Sequence, residues 1–219
     1  MPVKPRAAPP AVADADTESR ILDAAHAVFL RKGTAGARMQ DIAREAGVNH
    51  ALVHYYFRTK ARLAEAVFRR AALKLLPPAV ATLSSDLPLE DKVRRLVDHY
   101  LTQLSATPHL PGYLLSELNH HPERGSQLIH ALTGLDPDRV RPRVFDTLQR
   151  QIAERVRAGT LRPISPQEFA VNLVSLCIFP FAARPMLALV LGWKDGDFAR
   201  FIAERQRALP DFFLGALRP

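Results

Sequence analysis

Apolar residues recur at intervals of three and four along most of the chain, the spacing of one face of an α-helix. No stretch alternates apolar and polar positions between hairpin turn residues, so strands are not expected. A first helix is expected over about residues 17–31, with Ile21, Ala25, Val28 and Phe29 on one face and Gly33 as its stop. A short helix follows over about 39–46, then a tight turn at Gly47-Val48-Asn49, then a third helix over about 50–56. A long fourth helix starts near Lys60 and is expected to end at Pro77-Pro78, because proline lacks the N–H that continues a helix.

Beyond residue 80 the same periodicity is punctuated by prolines. Residues 89–107 place Val93, Leu96, Val97, Tyr100, Leu101 and Leu104 on one inner face. Further helices are expected over about 111–120, 125–135 and 138–158. Ser165-Pro166-Gln167-Glu168 is a helix start, with Ser165 as cap and Pro166 in the first turn. Asp197 is expected to cap a last helix whose stripe is Phe198, Phe201, Ile202, Leu209, Phe212, Phe213 and Leu217, and Pro210 is expected to kink or split it. The apolar run over 169–193 approaches membrane-spanning length. It contains Asn172, Ser175, Arg184, Pro180 and Pro185 and looks like two helices, so a buried protein layer is the better reading and no membrane partner is expected.

Length and composition fit this picture. A chain of 219 residues with 47% hydrophobic residues can bury a sizeable core. The lone Cys177 cannot form an intrachain disulfide, which suits a cytoplasmic location. Residues 1–16 are rich in Pro and Ala and lack a continuous apolar segment, so they read as a disordered arm rather than a secretion signal.

Charge adds the first functional hint. The formal net charge is +8, and residues 31–74 hold ten Lys/Arg against Asp41, Glu45 and Glu65 alone, whereas residues 75–219 are close to neutral. A basic third on a neutral body suits a polyanionic partner, and equally a solvated basic surface.

The segment QDIAREAGVNHALVHYYFRTK, residues 40–60, decides between these readings. Ile42, Ala43 and Ala46 share one face, small Ala43 permits a close crossing, Gly47 can take positive φ, and Val53, Tyr56 and Phe57 turn back to the same core. Two short helices crossing through a glycine turn form a helix-turn-helix, whose second helix can enter a DNA major groove. Here its outer face is Asn49, His50, Ala51, His54 and Tyr55. Asn and His can bond base edges or phosphates, the Ala51 methyl can meet a thymine methyl, and Tyr55 can reach phosphate. Lys60, at the start of the next helix, suits a phosphate.

The block ILDAAHAVFLRKG followed by MQDIAREAGVNHALVHYYFRTKARLAEAV, residues 21–67, resembles the TetR family of transcriptional regulators. That resemblance implies an all-α homodimer, with an N-terminal three-helix helix-turn-helix domain (residues 17–62) and a C-terminal helical effector-binding and dimerisation domain (residues 63–219). It implies a repressor that leaves a near-palindromic double-stranded operator when a small molecule binds. By position it assigns DNA contacts to Arg38, Gln40, Asn49, His50, Ala51, His54, Tyr55, Tyr56, Thr59 and Lys60. The base-reading set is Gln40 with Asn49, His50 and Ala51. The sequence departs from the family at Arg38, where many members carry a capping Thr or Ser, at His54, where many carry Tyr, and at Leu52, where Thr is common.

Other chemistry is weaker. His120-His121-Pro122-Glu123 is the densest histidine cluster, but adjacent histidines on a helix diverge by about 100° and rarely share a metal. No GxSxG, phosphate loop or GxGxxG is present, so neither catalysis nor a cofactor is expected. His99, Gln103, Tyr113, Glu117, Phe145, Gln149 and Asn172 are candidates for an effector pocket. The helices over 165–184 and 197–217 are apolar on too many sides for lone surface helices and are expected to dimerise. The alternative to a specific regulator is a nonspecific nucleoid or scaffold protein.

Overall fold

In the computed structural model, which describes residues 11–133 and 136–219, the described residues form eleven helices and no strand. They fall into a first unit that ends at Arg70 and a second that begins at Ala71. The division thus lies inside a long helix, past the boundary at residue 62 read from the sequence.

In the first unit, α1 (Ala11–Gly36) packs on α2 (Met39–Ala46), and α2 on α3 (His50–Phe57). Residues 1–10 of the expected arm lie outside the described residues. Residues 11–16, expected to be disordered, instead belong to α1, because the alanine-rich sequence favours continuing the helix towards its N-terminus. The backbone of α1 leaves helical geometry at Gly33, with φ 67° and ψ 162°. Ile21, Val28, Phe29, Ile42, Val53, Leu63 and Val67 are buried. Complete burial of a side chain of this size contributes about 1.5–3 kcal/mol.

Helix α4 (Lys60–Ser84) runs through Pro77 and Pro78 instead of stopping there. The two prolines deprive the carbonyls of Leu73 and Lys74 of their helical donors. Both of those residues are exposed, so water can meet the orphaned oxygens.

The second unit is built around α5 (Leu89–Ala106), whose Val93, Leu96, Val97, Tyr100, Leu101 and Leu104 are all buried as the spacing predicts. Fully buried Lys92 sends its Nζ to the Leu83 carbonyl at 2.7 Å, closing the C-terminal end of α4, and burial lowers its pKa. α6 (Leu110–His120), α7 (Glu123–Thr133) and α8 (Pro137–Arg157) follow. Residues 134 and 135, the end of the helix expected over 125–135, lie outside the described residues.

α9 (Pro166–Ala182) starts as expected, with the Ser165 hydroxyl accepting from the Glu168 N–H at 3.1 Å. α10 (Arg184–Leu191) is bent from α9 by 72°, which breaks the apolar run in two. Among the described residues no single helix is long and apolar enough to cross a membrane. α5 packs against α8, α9 and α11 (Asp197–Ala216). Two expectations for α11 are corrected. Its N-cap is Gly196, while Asp197 lies just inside the helix and accepts from the Lys194 N–H at 2.8 Å. The helix also continues through buried Pro210 without splitting, since the sequence around it packs on both sides: Leu209 and Phe213 are buried too.

Candidate nucleic-acid interface

The turn between α2 and α3 is fixed by its backbone. Gly47 takes φ 63° and ψ 35°, a left-handed conformation that favours glycine. Its N–H donates to the Arg44 carbonyl at 3.2 Å, and the Val48 N–H donates to the Ala43 carbonyl at 3.0 Å. This is the Schellman ending of a helix. Two residues later the Asn49 side chain accepts from the Ala51 N–H at 2.9 Å and opens α3. One short connection therefore satisfies both helix ends and sets their crossing.

α3 is sharply two-sided. Val53 and Phe57 are buried, whereas Asn49, His50, Ala51, His54 and Tyr55 are exposed, Tyr55 at 73%. The rings of His50 and His54 meet edge-on with centroids 4.5 Å apart, and Tyr55 meets Tyr56 in the same way at 5.4 Å. Tyr56, expected in the core, is only half-buried. The outer face thus brings together the expected reading residues on one side of a helix narrow enough for a major groove. Gln40 and Arg38 are exposed at the start of α2. Arg38 occupies the N-cap position of α2 without a side-chain cap bond, as the departure from Thr or Ser implies.

Three assigned residues carry structural duties. Lys60 Nζ donates to the carbonyls of Ala35 and Ala37 at 2.9 and 3.1 Å. Thr59 Oγ1 accepts from the Arg62 N–H at 3.2 Å and caps α4. His54 Nδ1 lies 2.9 Å from the Arg58 carbonyl oxygen, which the ring N–H meets as donor. Arg58 itself stands at φ 57° and ψ −49°, and the Thr59 N–H bonds back to the Phe57 carbonyl. This is the strained form of γ-turn, at a residue that has a Cβ.

The basic charge is only partly available. Arg31 grips Glu45 with two bonds, 3.3 and 2.7 Å long, and Lys32 pairs with Asp41 at 2.8 Å. These bonds hold both carboxylates below the usual carboxylate range. Arg70 pairs with Asp23. Arg38, Arg58 and Arg62 are exposed and, among the described residues, have no carboxylate partner, and Arg44 reaches only Asp41, at 3.7 Å. Arg44, Arg58 and Arg62 were not among the assigned contacts. They count towards the charge excess, and the fold leaves them exposed while Arg31, Lys32 and Arg70 are paired with carboxylates.

The effector candidates have differing surroundings. His99 Nε2 is bonded to the Leu75 carbonyl at 3.0 Å, and Gln149 and Asn172 are exposed. Gln103 and Phe145 are half-buried. Glu117 forms a buried ion pair with Arg124, whose charge also acts on buried Tyr113. None of the seven lines the cavities described in the second unit. The histidine cluster is also spent locally: His120 Nδ1 bonds the Ser116 carbonyl at 2.7 Å and His121 faces Glu123 at 3.4 Å. Among the described residues no group of three or more His, Cys, Asp or Glu could hold a metal ion.

Residues 21–67 match the family model for bacterial regulatory proteins of the tetR family. The repressor SCO4008 of Streptomyces coelicolor is 34% identical over 116 residues, 49% of this chain and 57% of that protein. The repressor Rv3405c of Mycobacterium tuberculosis is 30% identical over 138 residues, 63% of this chain and 66% of that protein. The chain therefore spans less than two-thirds of the length of these relatives. Among solved structures, PfmR of Thermus thermophilus superposes with a TM-score of 0.63 at 19% identity, covering 89% of this chain and 97% of that one. The hemolysin II regulator HlyIIR superposes at 0.59 with 23% identity, covering 94% and 98%. At these identities the structural likeness is one of fold.

Proposed function

We propose that the chain, whose residues 21–67 match the tetR family model, is a TetR-family regulator that binds DNA in a sequence-specific way. The observation that carries this is the two-sided α3, joined to α2 through Gly47 and Asn49, with a polar, exposed outer face in a unit that also exposes Arg38, Arg44, Arg58 and Arg62. Asn49, His50 and Ala51, with Gln40, read base edges. Tyr55, Tyr56, His54 and these arginines hold phosphates. Lys60 and Thr59 contribute by fixing the backbone around them, and Thr59 can still offer its hydroxyl proton to a phosphate. The relatives of this chain are regulators, not enzymes, and its role is binding.

The protein acts as a homodimer in the cytoplasm on a near-palindromic operator, as a repressor that a small molecule releases. Support for the dimer comes from the outward faces of α9 and α11, where Val171, Phe179 and Phe212 are exposed at 63%, 54% and 65%. Large apolar side chains of this kind on two neighbouring helices suit a self-complementary interface. Footprinting on DNA upstream of the gene tests the proposal. Protection of a short site with two inverted half-sites about 10 bp apart, or a multiple of that, supports it. Uniform, position-independent protection would instead favour a nonspecific nucleoid or scaffold protein.

A further inference from the structure

A cavity of about 390 Å³ lies in the second unit, where the end of α5 faces the turn from α10 into α11. That size falls among small-molecule pockets. Its wall carries two cations, Arg184 and Lys194, an apolar floor of Phe198 and Ile202, and the polar side chains of Ser105 and Gln206. The Arg184 guanidinium sits 4.6 Å over the Phe198 ring. Stacking on a ring face fixes the guanidinium plane and leaves its N–H donors at the edge for an anion.

Two acids that adjoin this wall are engaged with other groups. Asp197 accepts from the Lys194 backbone N–H and from Arg200, at 2.8 and 2.6 Å. Asp98 accepts from Gln206 at 2.6 Å. Among the described residues neither Arg184 nor Lys194 has a carboxylate partner, and Asp195 is the single acid on the wall, so the wall keeps a formal positive charge. An apolar floor beneath a half-buried, unneutralised guanidinium matches a molecule with one anionic end and one apolar end.

We propose that this cavity binds a small organic monocarboxylate, its carboxylate taken by Arg184 and Lys194 and its apolar chain laid on Phe198 and Ile202. Ser105 lies within the same wall to donate to the carboxylate. A dicarboxylate is disfavoured by Asp195, and a neutral molecule leaves the guanidinium edge unmet. The proposal rests on the reading of the chain as a ligand-responsive regulator only for its effect on DNA; binding itself concerns the second unit.

The chain's one tryptophan makes the test direct. Trp193 packs on Phe198 with centroids 5.7 Å apart and on Phe201 at 5.0 Å, so its fluorescence reports the cavity floor. Hexanoate titrated into the full chain is expected to give a saturable change, with hexanamide, its neutral isostere, binding at least about tenfold more weakly. R184Q and K194Q are each expected to abolish that preference. Lys194 is exposed, so K194Q tests the charge even if R184Q disturbs the stacking on Phe198. No saturable response, equal binding of the amide, or a K194Q protein that keeps the full preference overturns the proposal. DNA affinity of the same protein is measured separately. If saturating hexanoate leaves it unchanged, the ligand-release reading loses this site while the binding site stands.

Discussion

The Arg205 guanidinium donates two hydrogen bonds to the Leu176 carbonyl, at 3.1 and 2.9 Å. Leu176 lies four residues before Pro180, which has no N–H to complete the helical bond at that position. A side chain of α11 thus supplies the donor that α9 lacks. Half-burial lowers the guanidinium's pKa without neutralising it, and Phe201 lies beneath it at 5.7 Å. Arg205→Ala is expected to cost about 2 kcal/mol, the range for a hydrogen bond to a charged group. In a Pro180→Ala background, where the backbone N–H restored at that position can serve Leu176, the same substitution should cost clearly less. Urea denaturation at fixed protein concentration measures the cycle, and strict additivity contradicts the account.

Arg58 closes the connection from α3 to α4 with φ 57° and ψ −49°, a conformation that costs about 1–3 kcal/mol in a residue with a Cβ. Arg58→Gly should therefore raise the thermal midpoint, with a gain of about 1 kcal/mol after the extra unfolded-state entropy of glycine is subtracted. Arg58→Ala keeps the strain and should not raise it. A fall in midpoint for the glycine variant would show that the turn is not strained.

Asn49 holds the N-terminus of α3 and also stands first on the reading face. Asn49→Ala should lose about 1 kcal/mol of stability together with part of the base preference. Asn49→Ser keeps a capping oxygen and should change base preference alone, by about 1–3 kcal/mol at one operator position. Selection from randomised operators, run beside thermal denaturation, separates the two effects. Lys60→Ala should weaken binding to all sequences alike and also destabilise the fold, since the carbonyls of Ala35 and Ala37 lose their donor.

Burial pushes the Cys177 thiol from its ordinary 9.0, and the Tyr100 hydroxyl from 10.0, up to about 12. Both folded-state values lie above the unfolded ones, so the contribution is intact below pH 9 and is lost as pH rises towards 12. Stability should fall across that window, and Cys177→Ala should remove the part that begins near pH 9. The native thiol should also resist a disulfide-exchange reagent at neutral pH and react once the chain is unfolded. Rapid labelling of the native protein contradicts this.

The helix-turn-helix was legible because its signals are local. Gly47 permits a left-handed turn, Asn49 caps, and Ile42, Val53 and Phe57 keep helical spacing, so the end of α2 and the start of α3 follow from neighbours in sequence. The stop at Pro77-Pro78 failed because solvent can satisfy the carbonyls of Leu73 and Lys74, which no local rule reveals. Lys60 reads as a phosphate ligand and Thr59 as a DNA contact implied by the resemblance, yet their bonds to Ala35, Ala37 and Arg62 depend on how the connecting turns fold back. The surroundings of the effector candidates were the least legible. His99, Glu117 and Asn172 are polar residues on amphipathic helices, and only packing decides whether such a side chain meets a carbonyl, an arginine or water. Arg184, Lys194 and Phe198 lie on the two sides of the α10–α11 turn, and their convergence has no signature in spacing.

Whether the outer face of α3 reads DNA sequence can be measured by fluorescence anisotropy with two duplexes of equal length. One carries the protected upstream site and the other its scrambled sequence, each titrated across a series of salt concentrations. A base-reading α3 should give at least about a thousandfold preference for the site, with both affinities falling steeply as salt rises. His50→Ala should shrink that preference while leaving scrambled binding in place. Equal affinity for the two duplexes at every salt concentration, or an undiminished preference in both His50→Ala and Asn49→Ser, would contradict base reading by α3.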